Sequence, residues 1–143
     1  MSFVKITTYT EILELLKKFQ VCFPHLTEKI ESLESYAKKL SDYANVYILA
    51  DEAVKGLIVY YSNDLINHVG YVALIGILPE YQRLGYGKLL LNLVVKQMQS
   101  DGMREVKLEV DNDNSAALEF YKKYGFVVQA VAGDSSTYLC YTL

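Results

Sequence analysis

Tryptophan is absent from this 143-residue chain, and cysteine, histidine and proline occur only twice each. Each scarcity removes a chemistry. Cys22 and Cys140 are too few and too far apart for a disulfide framework, and they suit a reducing compartment. Cys22 and His25 fall short of a metal site with only His68 left to join them, so Cys22 reads as a structural thiol and no metal is expected. No stretch reaches about 18 uninterrupted apolar residues, which speaks against a membrane-spanning helix. The amino-terminal MSFVKITTYTEILELL lacks the charged leader, apolar core and small-residue cleavage site of a secretory signal. A cytoplasmic location and no membrane partner are therefore expected. Positive charge is not in excess either: the net charge is −3 and the isoelectric point near 5.4. Nucleic-acid surfaces draw affinity from clustered Lys and Arg, so no nucleic-acid partner is expected. Lys17-Lys18, Lys38-Lys39 and Lys122-Lys123 read as solvated helix faces.

What is present is a globular composition, 52% apolar with thirteen tyrosines, at a length that makes one domain over 1–143 the expectation. Val4 to Thr7 alternates as a strand does, and Thr10 is placed to cap a helix whose apolar stripe is Ile12, Leu15, Leu16 and Phe19. Phe23-Pro24 interrupts that helix, and a second follows from about Thr27 with Ile30, Leu33, Ala37 and Leu40 on one side. Asn45 to Asp51 and Gly56 to Tyr61 read as a hairpin, and Tyr71 to Leu78 as a central strand covered on both faces. Gly76 within that strand marks either a bulge or close backbone approach, or a packing glycine. A helix from near Gly87 to Ser100, a strand over Val106 to Val110 and a helix capped by Asn114 or Ser115 follow. Phe126 to Ala132 and Thr137 to Leu143 form a last hairpin around Gly133-Asp134.

The chain is organised around Ile75 to Leu91, where an apolar strand breaks at Leu78-Pro79 and passes through a glycine-punctuated turn into a leucine-rich helix. Gly85 and Gly87 can take backbone angles closed to other residues, so that consecutive N–H groups point into one hollow. The following helix start adds unpaired N–H groups and about half a positive charge, and Arg83 and Lys88 add full charges. Such a hollow suits an anion, although glycines in this spacing also serve a plain tight turn. Leu89 after Gly87-Lys88 lacks the hydroxyl a Walker A loop needs for magnesium. Leu90 stands where a dinucleotide fingerprint needs its third glycine.

The remaining pattern, Gln82, two residues, Gly85, one residue, Gly87, resembles the pyrophosphate loop of the GNAT superfamily of acyl-coenzyme A-dependent N-acyltransferases. LEVDNDNSAALEFYKKYGF (Leu108 to Phe126) resembles that family's second signature: a strand, an Asn, a short helix with a Tyr, then Gly-Phe. The likeness covers Val46 to about Phe126 well and the first forty residues and the tail only in element order. It implies a single-domain α/β (α+β) fold, a mixed, mostly antiparallel sheet with helices on both faces. It further implies acetyl-coenzyme A as co-substrate, held by Ile77, Leu78, Gln82, Arg83, Leu84, Gly85, Tyr86, Gly87, Lys88 and Asn114, with Tyr121 as general acid.

In such enzymes an amine attacks the thioester directly, and nothing here pairs Cys22 or Cys140 with a base for an acyl-enzyme route. Some family members carry a Glu where this chain has Tyr71; Glu109, Asp64, His68 and a water relay are open substitutes. The helix pair borders the acceptor pocket in the family, offering Phe23, His25, Glu28 and Tyr36 as lining. The expected activity is N-acetyl transfer to a primary amine, a small molecule ahead of a protein amine, with monomer and homodimer both open. The rival expectation is a non-catalytic acyl-coenzyme A-binding or regulatory module of the same fold.

Overall fold

The computed structural model describes residues 1–132 and 135–143. A seven-stranded sheet is built from β1 (Ser2–Ile6), β2 (Asn45–Ala50), β3 (Val54–Tyr61), β4 (Val69–Ile77), β5 (Glu105–Asp111), β6 (Val127–Ala132) and β7 (Ser136–Thr142) in the order β1-β2-β3-β4-β5-β7-β6. Every neighbouring pair is antiparallel except β4 with β5. The expected mixed, mostly antiparallel α/β architecture is thus the observed one. The turn anticipated at Gly133-Asp134 lies outside the described residues.

Helices cover both faces. On one lie α1 (Tyr9–Lys18), α2 (Leu26–Lys29) and α3 (Leu33–Tyr43), which bury Ile12, Leu16, Phe19, Ala37 and Leu40 against Val46, Leu57 and Leu74. On the other lie α4 (Tyr86–Ser100) and α5 (Ser115–Tyr124), which bury Leu90, Leu91, Val94, Met98 and Tyr121 against Ile58, Val72, Val106 and Leu108. Each large apolar side chain so enclosed contributes about 1.5–3 kcal/mol relative to exposure. The α1 stripe is the one the i, i+3, i+4 spacing indicates.

Two helix starts differ from expectation. Thr8, not Thr10, caps α1: its hydroxyl accepts from Glu11 N at 3.3 Å. The second helix is two, because the chain is extended at Ile30 and Ser32 opens α3 with a reciprocal capping box to Ser35. A local cap of this kind satisfies two N–H groups at once and restarts the helix.

The irregularity in β4 is at Ala73, not Gly76. Val59 pairs with Leu74 and Tyr60 with Val72, leaving Ala73 as the extra residue, whereas Gly76 pairs in register with Leu57. Gly76 is a packing glycine: a Cβ there would come within 2.9 Å of Phe23 Cζ and 3.0 Å of Cys22 Cβ. β4 is the expected central strand covered on both faces, with Val72, Ile75 and Ile77 packed on the α4–α5 side and Ala73 and Leu74 on the α1–α3 side, but its edge toward β5 is open. It pairs with β5 only from Val69 to Tyr71, beyond which the two parallel strands diverge, and its residues alternate between buried and half-buried.

Candidate functional site

That divergence opens a cleft of about 610 Å³ between the carboxyl-terminal halves of β4 and β5. Its walls come from Val72 to Ile75 of β4, Leu108 to Asp111 of β5, the start of α5, and the segment from Cys22 to Ile30. Leu78 N donates to Lys55 O at 3.0 Å. By the period of the ladder, Gly76 and Leu74 also bond to β3, so the N–H and C=O groups of Ile75 and Ile77 point into the cleft. Backbone groups facing a gap on one side are a strand edge to which an extended amide-bearing chain can pair.

At the end of β4 a 3-10 turn (Pro79–Tyr81) leads into the loop before α4. Gly85 sits at φ 85° and is the N-cap of α4, with no side chain capping it. The first bond into the helix is Leu89 N to Gly85 O, so the N–H groups of Tyr86, Gly87 and Lys88 are left at its open end. The second left-handed residue is Arg83 at φ 64° rather than Gly87. Such a conformation costs a non-glycine residue roughly 1–2 kcal/mol, which the surrounding loop must hold in place. Gly87 has a different setting: a Cβ there would lie 3.2 Å from Phe120 Cζ, so glycine lets α5 pack closely on the first turn of α4.

The side chain of Gln82 is turned away from the loop's hollow. Its Nε2 donates to Ile77 O at 2.9 Å, tying the loop to the strand end. Cys22 Sγ donates to the same carbonyl at 3.3 Å. Arg83, Leu84 and Lys88 are exposed, and neither cation is ion-paired among the described residues. Tyr86 is half-buried against the α4–α5 core.

Asn114 caps α5, its Oδ1 accepting from Ala117 N at 3.1 Å, and also lines the cleft. Its amide nitrogen has no hydrogen-bond partner among the described residues. Tyr121 projects from α5 into the same cleft; it is 6% exposed, and its ring meets Phe120 and Phe126 edge-on at centroid distances of 5.2 and 5.5 Å. Burial pushes its phenol above the usual tyrosine range. A phenol so placed keeps its proton and can donate, but does not serve as a base.

Among the acid–base candidates, Glu109 alone lines the cleft; its Oε2 accepts from Ser136 Oγ at 2.6 Å. Asp64 is spent on a turn, accepting from the N–H groups of Ile66 and Asn67. His68 lies at the opposite end of β4, at φ 56°, with its carbonyl accepting from Arg104 N. Tyr71 lines the cleft, and burial, then Glu109, Tyr138 and Tyr61, push its phenol up to about 12. Tyr36 and Tyr61 share that end, and Tyr61 Oη is buried with no partner among the described residues.

Among the features sequence reasoning missed is a cluster of charged side chains on the cleft wall, two of whose contacts join distant parts of the chain. His25 Nε2 lies 2.8 Å from Asp113 Oδ2, His25 Nδ1 lies 3.1 Å from Glu28 Oε2, and Lys29 Nζ lies 2.8 Å from Asp111 Oδ1. Glu28 thus serves His25 rather than the lining. His25, Asp111 and Asp113 approach within 4.8 Å of one another, but the ammonium of Lys29 already occupies the cation position against Asp111. No local signal could announce contacts between residues more than eighty positions apart.

The model of the acetyltransferase (GNAT) family matches residues 9–126. Mycothiol acetyltransferase of Paenarthrobacter aurescens is 46% identical over 59 residues, 41% of this chain and 18% of that protein. N-alpha-acetyltransferase 30 of Schizosaccharomyces pombe is 37% identical over 57 residues, 40% of this chain and 38% of that protein. The chain spans about a fifth of the length of the mycothiol acetyltransferases it matches. Among solved structures, PaiA N-acetyltransferase of Thermoplasma acidophilum, in complex with coenzyme A, superimposes with a TM-score of 0.77 over 100% of both chains at 24% identity.

Proposed function

The chain belongs to the GNAT acetyltransferase family, and from that premise we propose that it moves an acetyl group from acetyl-coenzyme A to the primary amine of a small molecule. The observation that carries this reading is the divergence of β4 from β5 beyond Tyr71 with the open start of α4 beside it. The amides of Tyr86, Gly87 and Lys88, with the helix dipole and the cations of Arg83 and Lys88, suit the pyrophosphate. The cleft-facing N–H and C=O of Ile75 and the N–H of Ile77 suit the amide-bearing arm, the Ile77 carbonyl being taken by Gln82 and Cys22, and Leu78 turns the chain from strand to loop. Gln82 acts by bracing the Ile77 carbonyl, Leu84 supplies backbone to the loop, and Asn114 offers its amide nitrogen to the arm.

The amine nitrogen attacks the thioester carbonyl carbon, the C–S bond breaks, and the electron pair leaves on sulfur. Tyr121, holding its proton, donates a hydrogen bond to the developing thiolate. Glu109 takes the proton that the amine gives up, directly or through one water. Both cysteine thiols are pushed up by burial, Cys140 to about 11, which disfavours the thiolate an acyl-enzyme route needs. A cleft of this volume fits a small acceptor, and the similarity to mycothiol acetyltransferases favours one. The similarity to an N-alpha-acetyltransferase supports a protein amine as the competing acceptor. A panel of small amines and peptide amino termini, followed by release of free coenzyme A thiol, tests the reading. Turnover of peptides alone would replace the acceptor; binding of acetyl-coenzyme A with no turnover of any amine would favour a non-catalytic module.

A further inference from the structure

The segment from Gln20 to Ile30 crosses the cleft like a strap with one foot on each diverging strand. At β4 the foot is short-range and largely apolar: Cys22 Sγ donates to Ile77 O, and Phe23 and Cys22 rest on Gly76. At β5 it is ionic, Lys29 to Asp111 and His25 to Asp113. β4 and β5 share no backbone pairing there, so the strap ties them across the gap.

His25 is held between two carboxylates, Asp113 at Nε2 and Glu28 at Nδ1. A neutral imidazole has one N–H and one lone pair, so it can donate to only one of them and must turn its lone pair on the other. Both contacts are satisfied together only by the imidazolium. The charged groups facing His25 agree: Glu28 and Lys29 from α2, Asp111 from β5 and Asp113 from the loop before α5, three carboxylates against one ammonium. We propose that His25 is a positioning residue that fastens the strap to the β5 side of the cleft most firmly while its imidazole carries both protons, so that a proton tightens the acceptor-side wall. The pairing partners raise the affinity of His25 for its second proton above the ordinary value, Asp113 first. The clamp is therefore complete below that raised midpoint and weakens as pH rises through it. The effect on the acceptor rests on the acyl-transfer reading; the fastening itself does not.

The amides of Leu26 and Glu28 are bonded within the strap, to Phe23 O and His25 O, and report its closure. Their hydrogen-exchange protection, corrected for intrinsic rates, is measured across the titration of the His25 ring nitrogens. Protection should fall about fivefold through the ring's midpoint, as the weak energetics of an exposed ion pair allow. His25→Gln should show the lower protection at every pH with no step, and Asp113→Asn should move the midpoint down. With the best amine, the acceptor KM of wild type relative to His25→Gln should rise by the same factor over that range while the kcat ratio stays flat. A step that persists in His25→Gln, or a wild-type ring that titrates without a change in protection, overturns the proposal. The exchange experiment decides it even where no amine is turned over.

Discussion

The two ends of the cleft are made in opposite ways. The loop before α4 is contiguous: seven residues, Gln82 to Lys88, set its turn, its charge and its open amides. The strap end is assembled from residues 82 and 88 positions apart, joined by exposed ion pairs. The shape of a contiguous loop is set by its own backbone, whereas a docked segment is held by side-chain interactions worth about 1 kcal/mol or less each. On the proposed acyl-transfer reading, the end that suits the invariant part of the co-substrate is expected to be the stiff one, and the end beside the acceptor the adaptable one.

Experiments can break or sharpen that contrast. The largest expected effect lies between the ends, at Tyr121. A departing thiolate has a pKa comparable to a free cysteine, about 8.5, and the buried phenol lies above its ordinary value, so full proton transfer is uphill and the hydroxyl helps by hydrogen bonding. Tyr121→Phe should bind acetyl-coenzyme A nearly as wild type does and turn over about 100-fold more slowly. Because the phenol keeps its proton well into the alkaline range, wild-type turnover should rise with pH as the acceptor ammonium deprotonates and show no fall near pH 10. Unchanged turnover in the variant removes Tyr121 from the chemistry.

Next comes the stiff end itself. Saturating acetyl-coenzyme A, at about 100 times its dissociation constant, should add about 2.7 kcal/mol of stability, a rise of roughly 5 to 10 °C in melting temperature for a domain of this size. Absence of any rise would sink the loop's assignment and the activity with it. Gly85→Val places a β-branched side chain at φ 85° and should cost roughly 1–3 kcal/mol and abolish that rise. Gly87→Val should do the same by displacing Phe120, so that Phe120→Ala in the Gly87→Val background restores part of the lost stability. Additive losses in that double variant would show that Phe120 is not what Gly87 accommodates. The smallest effect belongs to the adaptable end: Lys29→Ala should lower stability by at most about 1 kcal/mol, less at high salt. A loss several times larger in urea titration would mean that the strap is as firmly built as the loop.

The same contrast explains what could be read from the residues alone. The α1 stripe, the open start of α4, the Asn114 cap and the placement of Tyr121 on a short helix followed from spacing within about ten residues. The exact cap at Thr8 and the restart at Ser32 were also local, but two nearby hydroxyls competed at the first and a continuous apolar stripe masked the second. Ala73 as the irregular position, Phe120 as the neighbour of Gly87, and Gln82 as a brace were not legible, since each depends on a partner brought in by the fold. Glu109 stood open beside Asp64, His68 and a water relay, and only the fold could show that, of the three side chains, it is the one lining the cleft.

The extra residue in β4 has a consequence for how the strand can change. Before it, Gly70 and Val72 look toward α4 and Tyr71 toward Tyr36 and Tyr61; after it, Leu74 and Gly76 look toward α1–α3 and Ile75 and Ile77 toward α4. Odd and even positions exchange sides at Ala73. The strand is in effect two short strands in opposite phase, spliced in the middle of the cleft. Substitutions in the first half can reshape the end where the tyrosines gather without disturbing which residues of the second half meet the loop. Deleting Ala73 would restore one phase and turn Tyr71 from the α3 side toward α4, so the splice lets one continuous strand present two independently variable faces along its length.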